Sequence, residues 1–218
     1  MWLSFLKKIN KNKQYITSIE DIPKYIKISN RELQLDILTP QIAESIDSYI
    51  RFWNIIDDEL GIPLSGREPI KIYINSIGGN LEAAMTIMDS IQISKTPVYT
   101  FNIGSVHKES FLIYIAGHRR YSYNNSTFMY TDTIFQRPIE KENESTFYNK
   151  NSLLIYMQNT IKTFLIERLS ITEAQYDKHN KNEWWFSSDD AFKLHICNEI
   201  SRNHYHYVKD NREENIWQ

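Results

Sequence analysis

Apolar positions along this chain recur with two periods, and the switches between them mark strand–turn–helix units. Tyr25–Ile28 and Glu32–Leu38 read as short strands, the second with Leu33, Leu35 and Ile37 alternating. Thr39-Pro40 then supplies an N-cap and a first-turn proline. The helix that follows carries Ile42, Ile46, Ile50 and Trp53 on one face and stops at Gly61-Ile62-Pro63. The run Ile70-Lys71-Ile72-Tyr73-Ile74 after Pro69 has the β-branched character of a buried strand. A turn, Asn75-Ser76-Ile77-Gly78-Gly79-Asn80, leads into a helix over Leu81–Ile93.

Pro97 to Ile103 reads as another strand, followed by Gly104 and an apolar helix from about Val106 to Ala116, closed by Gly117 as a C′ residue. Phe128-Met129-Tyr130 is a short strand after the turn Asn124-Asn125-Ser126. The polar stretch Glu140–Lys150 leads into a long helix from Ser152 to about Leu169, and Ser170-Ile171-Thr172-Glu173 opens another element. Repeated strand–turn–helix units predict an α/β domain, a parallel sheet covered by helices. One domain over residues 25–200 is the economical division, with an N-terminal arm at 1–24 and a tail at 201–218.

Composition narrows the chemistry. The 218 residues carry 25 Lys and Arg against 27 Asp and Glu, so the net charge of −2 makes no case for nucleic acid as main partner. No apolar run reaches the ~18 residues of a membrane-spanning helix. The single cysteine, Cys197, excludes an internal disulfide framework and a multi-cysteine metal site. Met1 to Leu6 is apolar and is followed by Lys7, Lys8, Lys11 and Lys13. That order reverses a secretory signal and fits an arm that docks on a partner, with a transit sequence as the alternative.

Four of the six glycines fall in two segments, and those segments resemble a known family. Ile72-Tyr73-Ile74-Asn75-Ser76-Ile77-Gly78-Gly79, then Ala83-Ala84-Met85 and Asp89-Ser90-Ile91, is similar to the proteolytic subunit of Clp proteases, ClpP, in which a strand ends in Asn-Ser-Pro-Gly-Gly. Pro97-Val98 through Gly104, with the helix ending at Ala116-Gly117, resembles the segment that carries that family's nucleophile. Ser187, Asp190-Ala191 and Ile196 resemble its closing stretch. The resemblance runs from about Tyr25 to Ile200. It implies a ClpP/crotonase-type fold, a spiral of βαβ units with a protruding handle helix, here Ser152–Leu169, interdigitating between stacked heptameric rings. The apolar residues Leu153, Leu154, Tyr156, Met157, Ile161, Phe164, Leu165 and Leu169 spread over much of that helix and call for a partner beyond its own sheet.

The family is a Ser-His-Asp hydrolase, in which the imidazole takes the hydroxyl proton and the carboxylate fixes its tautomer. Counted from Gly104 and back from Gly117, the nucleophile position is Lys108. The histidine position after the short strand is Thr131, and the aspartate position is Glu183. Losing nucleophile and base together abolishes the mechanism. The resemblance also assigns Gly78, Gly79 and the amide of Glu109 to the oxyanion hole, with Ile77 in place of the usual proline. A Ser-Lys dyad of Lys108 with Ser105 or Ser110 would need a new geometry, and pairing with Glu183 is the plainer role for the lysine.

Among the histidines, His107 matches no base of the family, and His118 follows a helix end where a cation suits the dipole. His179 reads as surface, His195 as structural in place of a glycine, and His204 and His206 as polar tail without a third metal ligand. Trp184-Trp185-Phe186 reads as core or ring interface. The expectation is a non-catalytic ClpP-like subunit, resembling the ClpR type, that joins active ClpP-type subunits in rings. It would help enclose polypeptide substrates and present docking surface to a Clp AAA+ ATPase. No metal or cofactor is implied, ATP belonging to the ATPase. The compartment would be a bacterial cytoplasm or a plastid or apicoplast stroma. The alternatives are an active Clp-type serine peptidase with rearranged residues and a regulator that binds finished rings.

Overall fold

The computed structural model describes residues 29–131, 144–169, 171–179 and 182–201. The arm at 1–24, the strand expected at Tyr25–Ile28, the tail beyond Ser201 and its two histidines lie outside the described residues. Strands β1 (Glu32–Leu35), β2 (Ile70–Ser76), β3 (Val98–His107), β4 (Arg119–Tyr123) and β7 (Glu199–Ser201) form a parallel sheet in the order β1-β2-β3-β4-β7. The remaining strands, β5 (Thr127–Tyr130) and β6 (Trp184–Ser187), branch off the far end of β3, β5 parallel to β3 and β6 antiparallel to β5. The ten-residue β3 therefore pairs with β4 through its first half and with β5 through its last three residues. That fork brings His107, Thr127 and Trp185 together at one end of the sheet.

Helix α1 (Pro40–Glu59) begins as expected, with Thr39 Oγ1 accepting the Ile42 amide and Pro40 in the first turn. Its buried face is Ala43, Ile46, Ile50 and Trp53, whereas Ile42 is partly exposed. The expected face was thus one residue out of phase at its start, because the cap orients the first turn. Helix α2 (Leu81–Ile93) is capped by Asn80 Oδ1 on the Ala83 amide, and α3 (Glu109–Ala116) is buried along its whole length. The core packs these helices on Ile70, Ile72, Ile74, Val98 and Val106, all fully buried.

Several expected boundaries move. β1 stops at Leu35, Ile37 is 69% exposed, and Leu38 makes an isolated bridge to Gly79. The helix expected from about Val106 starts later: β3 runs to His107 and α3 begins only at Glu109. The junction falls in His107-Lys108-Glu109-Ser110, a polar run too short to show a strand or a helix period, so the sequence could not show where strand gave way to helix. Gly117 has φ −51 and is not a left-handed cap; glycine is needed there because a Cβ would collide with Thr100 Oγ1. His195, with φ +57, does hold the backbone conformation that a glycine would favour.

The long helix α4 (Glu144–Leu169) starts eight residues before the expected Ser152, taking part of the polar stretch into its first turns. Its C-terminal half buries Ile161, Phe164, Leu165 and Leu169 against the body. Arg168 anchors that half by donating to the carbonyls of Ile115, Ala116 and Gly117 at the end of α3. Farther out, Leu153, Ile155 and Tyr156 are about half exposed or more. Helix α5 (Glu173–His179) follows and is tied back by Lys162, whose ammonium bridges Glu173 and Asp177. Helix α6 (Ser188–Lys193) is started by a capping box of Ser187 and Asp190.

Candidate functional site

The end of β3 and the start of α3 meet at one residue, Lys108, in the left-handed half of backbone space (φ +52, ψ −124). A non-glycine residue held there is strained by about 1–3 kcal/mol, and surrounding contacts must enforce it. They do so on both sides. The Lys108 amide donates to Met129 O, and the Lys108 carbonyl accepts from the Phe111 amide. Ser110, wholly buried, has Oγ 2.7 Å from His107 O and 2.9 Å from Ser76 O, which share its single hydroxyl proton, and it accepts the His107 amide. The result is a sharp strand-to-helix elbow that lifts the residue 108 side chain into solvent.

Ser110 belongs to the frame of this elbow. Its hydroxyl is committed to backbone groups and has no exposed surface, so it is no partner for a Lys108 dyad. Ser105 has its amide on Asn75 Oδ1, which also packs against the Cα of Gly104.

The turn at Gly78 and Gly79 faces the elbow. Both residues have positive φ, +104 and +154, and a Cβ on Gly79 would collide with the Leu38 carbonyl oxygen. Ile77 projects outward, 75% exposed. The Gly79 amide donates to Glu109 Oε2 at 3.0 Å. Glu109 was expected to contribute its own amide beside Gly78 and Gly79; what the structure adds is its carboxylate, lying on the same turn. Neither composition nor spacing could have shown this, since it depends on which way the first side chain of α3 turns.

Thr131 closes the described part of the chain after β5 and is partly buried. Glu183 precedes β6 and accepts a hydrogen bond from Trp185 Nε1 at 2.9 Å. The expected pairing of Lys108 with Glu183 does not form, and among the described residues no ion pair engages Lys108. The indole N–H holds the carboxylate instead.

The imidazole nearest the elbow is His107. Its Nε2 lies 3.2 Å from Thr127 Oγ1, and its ring meets Trp185 edge-on at 4.9 Å. Burial pushes its pKa below the ordinary histidine value, the Lys108 cation adds to that, and the Glu183 carboxylate opposes it. Sequence spacing set His107 aside because it matches no base of the resembled family. Its contact with Thr127 arises from the β3–β5 pairing, which joins residues 20 apart in the chain.

Other histidines differ from expectation. His118 Nδ1 accepts the Val98 amide at 3.0 Å, and burial lowers its pKa, so it acts as a neutral acceptor and not as a cation on the helix end. His179 is not free surface but stacks on Trp184 at 4.3 Å. Of the aromatic triplet, Phe186 is in the core, Trp184 packs against it and Trp185 is 54% exposed. Among the described residues no three His, Cys, Asp or Glu side chains converge as a metal site requires, and no helix is long and apolar enough to cross a membrane.

The open face of the sheet carries a second feature. Tyr73, Phe101 and Tyr121, from β2, β3 and β4, stack at 4.8 and 4.6 Å, with Tyr99 beside them and the Arg119 guanidinium over Tyr121. These rings are only half-buried.

Comparison with known proteins agrees with this architecture. The family model described as Clp protease matches residues 63–204. The ATP-dependent Clp protease proteolytic subunit 2 of Treponema denticola is 24% identical over 207 residues, covering 92% of this chain and 96% of its own. The ATP-dependent Clp protease proteolytic subunit of Bdellovibrio bacteriovorus is 32% identical over 94 residues, 42% of this chain and 41% of its own. Among solved structures, a mutant of ClpP1 from Listeria monocytogenes superposes with a TM-score of 0.67 at 24% identity, covering 81% of this chain and 94% of its own. With a family match over well more than half its length, and that fold beneath it, the chain belongs to the Clp protease family.

Proposed function

We propose that this protein is a non-catalytic subunit of a Clp protease complex, contributing ring structure and docking surface in place of peptide hydrolysis. The observation that carries the reading is Lys108. The elbow that would present a nucleophile is built and enforced, yet the side chain it presents is an exposed lysine, with no imidazole paired to it among the described residues. Thr131 and Glu183, at the positions of base and orienting acid, supply no imidazole either, and the carboxylate is held by an indole.

Two surfaces supply the structural role. The half-exposed apolar end of α4 suits insertion between subunits of a facing ring, and the aromatic ladder across β2, β3 and β4 suits apolar segments of a Clp ATPase. The partners of this role are active ClpP-type subunits and the ATPase that consumes ATP.

A fluorophosphonate probe, which phosphonylates activated hydroxyls with loss of fluoride, leaves this protein unlabelled under conditions that label an active Clp subunit. The rearranged-peptidase reading has one observation behind it, the His107–Thr127 contact with a carboxylate nearby. Labelling at Thr127, Ser105 or Ser110 would establish that reading and overturn the proposal.

A further inference from the structure

The donors of the Gly78–Gly79 turn are already in use. Gly79 N–H points at Glu109 Oε2 at 3.0 Å, and Gly78 N–H lies 3.3 Å from Ser76 Oγ. The carboxylate is seated closely: a Cβ on Gly78 would stand 2.5 Å from the same Oε2, so only glycine lets the acid lie over the turn. Glu109 is 7% exposed, so the contact is shielded from water. The contact joins residues 30 apart in the chain. Glu109 is the first residue of α3, directly after the elbow, and the rigid backbone of Lys108 aims it.

A backbone N–H at a cleft edge accepts one kind of ligand, an oxygen bearing negative charge or a strong dipole. A peptide carbonyl would have to take the Gly79 amide from a carboxylate that is charged, buried and covalently tethered. A tethered ligand acts at high effective concentration, so a weakly held free competitor loses. We infer that Glu109 is a built-in ligand of the Gly78–Gly79 turn, occupying the carbonyl-binding position and closing this subunit's cleft to polypeptide. The inference rests on the reading that this turn lines a Clp-type cleft, but not on the loss of the nucleophile. Its consequence is that a Lys108→Ser, Thr131→His restoration leaves the cleft shut while Glu109 remains.

The test is hydrogen exchange by mass spectrometry on the full-length protein, following the segment from Ser76 to Leu81. In Glu109→Ala, exchange in that segment rises about tenfold, the loss of one charge-assisted hydrogen bond. Acetate, a small free carboxylate, then slows it back toward the wild-type rate by refilling the position. Unchanged exchange in Glu109→Ala overturns the contact. Faster exchange that acetate does not reverse overturns the ligand role. Should β2 also loosen in Glu109→Ala, Glu109→Gln decides. Its neutral oxygen still accepts, so a rise of about threefold confined to the turn supports the inference and no rise overturns it. None of these readouts depends on catalysis or ring formation, so failure here is separable from failure of the proposed function.

Discussion

The elbow and the outer half of α4 solve opposite problems. Around Lys108 the polar groups of Ser76, Gly79, His107 and Ser110 find partners within the same chain, and the Gly79 amide is satisfied by a neighbouring side chain. In the outer half of α4, Leu153, Ile155 and Tyr156 stay exposed at 57%, 49% and 67% among the described residues. A region whose backbone donors are taken by its own side chains has little left to offer a substrate carbonyl. A region whose apolar surface is left open has an unfavourable contact with water of roughly 25 cal/mol per Å², relieved only when another chain covers it. Under the proposed function the cleft is finished inside one chain, and the handle is finished by assembly.

The largest expected effect strikes the unfinished region. Replacing Leu153 and Tyr156 together by Asp puts two charges where apolar contact is needed, yet leaves the buried face of α4 alone. Native mass spectrometry should show a folded chain that no longer enters rings with an active ClpP-type partner, while the wild-type chain does. Rings of normal stoichiometry in the variant would break the comparison, because the exposed half would then be solvent surface and nothing more.

A smaller effect is expected where the two regions meet. Arg168 ties the root of α4 to three carbonyls at the end of α3, whose other end is the elbow. Arg168→Ala removes charge-assisted hydrogen bonds from partly buried carbonyls and should cost about 2–3 kcal/mol in chemical denaturation. A change within about 0.5 kcal/mol would mean that water replaces the guanidinium, and that handle and elbow are mechanically independent.

The smallest effect probes the closed body. Cys197 is buried, and burial pushes its thiol from 9.0 to about 11. Above pH 9 the unfolded chain loses a proton that the folded chain keeps, so this group's contribution to stability is present below that pH and lost as pH rises toward 11. Denaturant midpoints should fall across that window, by at most about 2 kcal/mol for this group, and Cys197→Ala should flatten the fall relative to its own neutral-pH value. An identical slope in the variant would assign the alkaline loss to other buried groups, Tyr114 first among them.

Much of this protein could be read along the chain. The Thr39-Pro40 start, the β-branched run at Ile70, the turn after Asn75 and the Leu81–Ile93 helix are local signals: caps, propensities and periods set by neighbouring residues. The ordered glycine-bearing segments carried the family resemblance, and spacing from Gly104 and Gly117 singled out Lys108 before any coordinates. What failed was local as well. The strand–helix junction falls in the polar run His107-Lys108-Glu109-Ser110, too short to show either period, so the helix start was placed about three residues early, and the phase of α1 slipped by one residue at its cap.

Other features belong to the tertiary structure alone. His107 meets Thr127 because β5 pairs with the last residues of β3, and Glu183 serves Trp185 because β6 doubles back on β5. Sequence determined which residue types stand at the elbow. It could not determine that Glu109 folds its carboxylate onto Gly79, a contact between residues 30 apart that exists only because two turns abut. Composition and spacing record what each residue can do; a hydrogen bond across the fold is decided by where the sheet carries its partners.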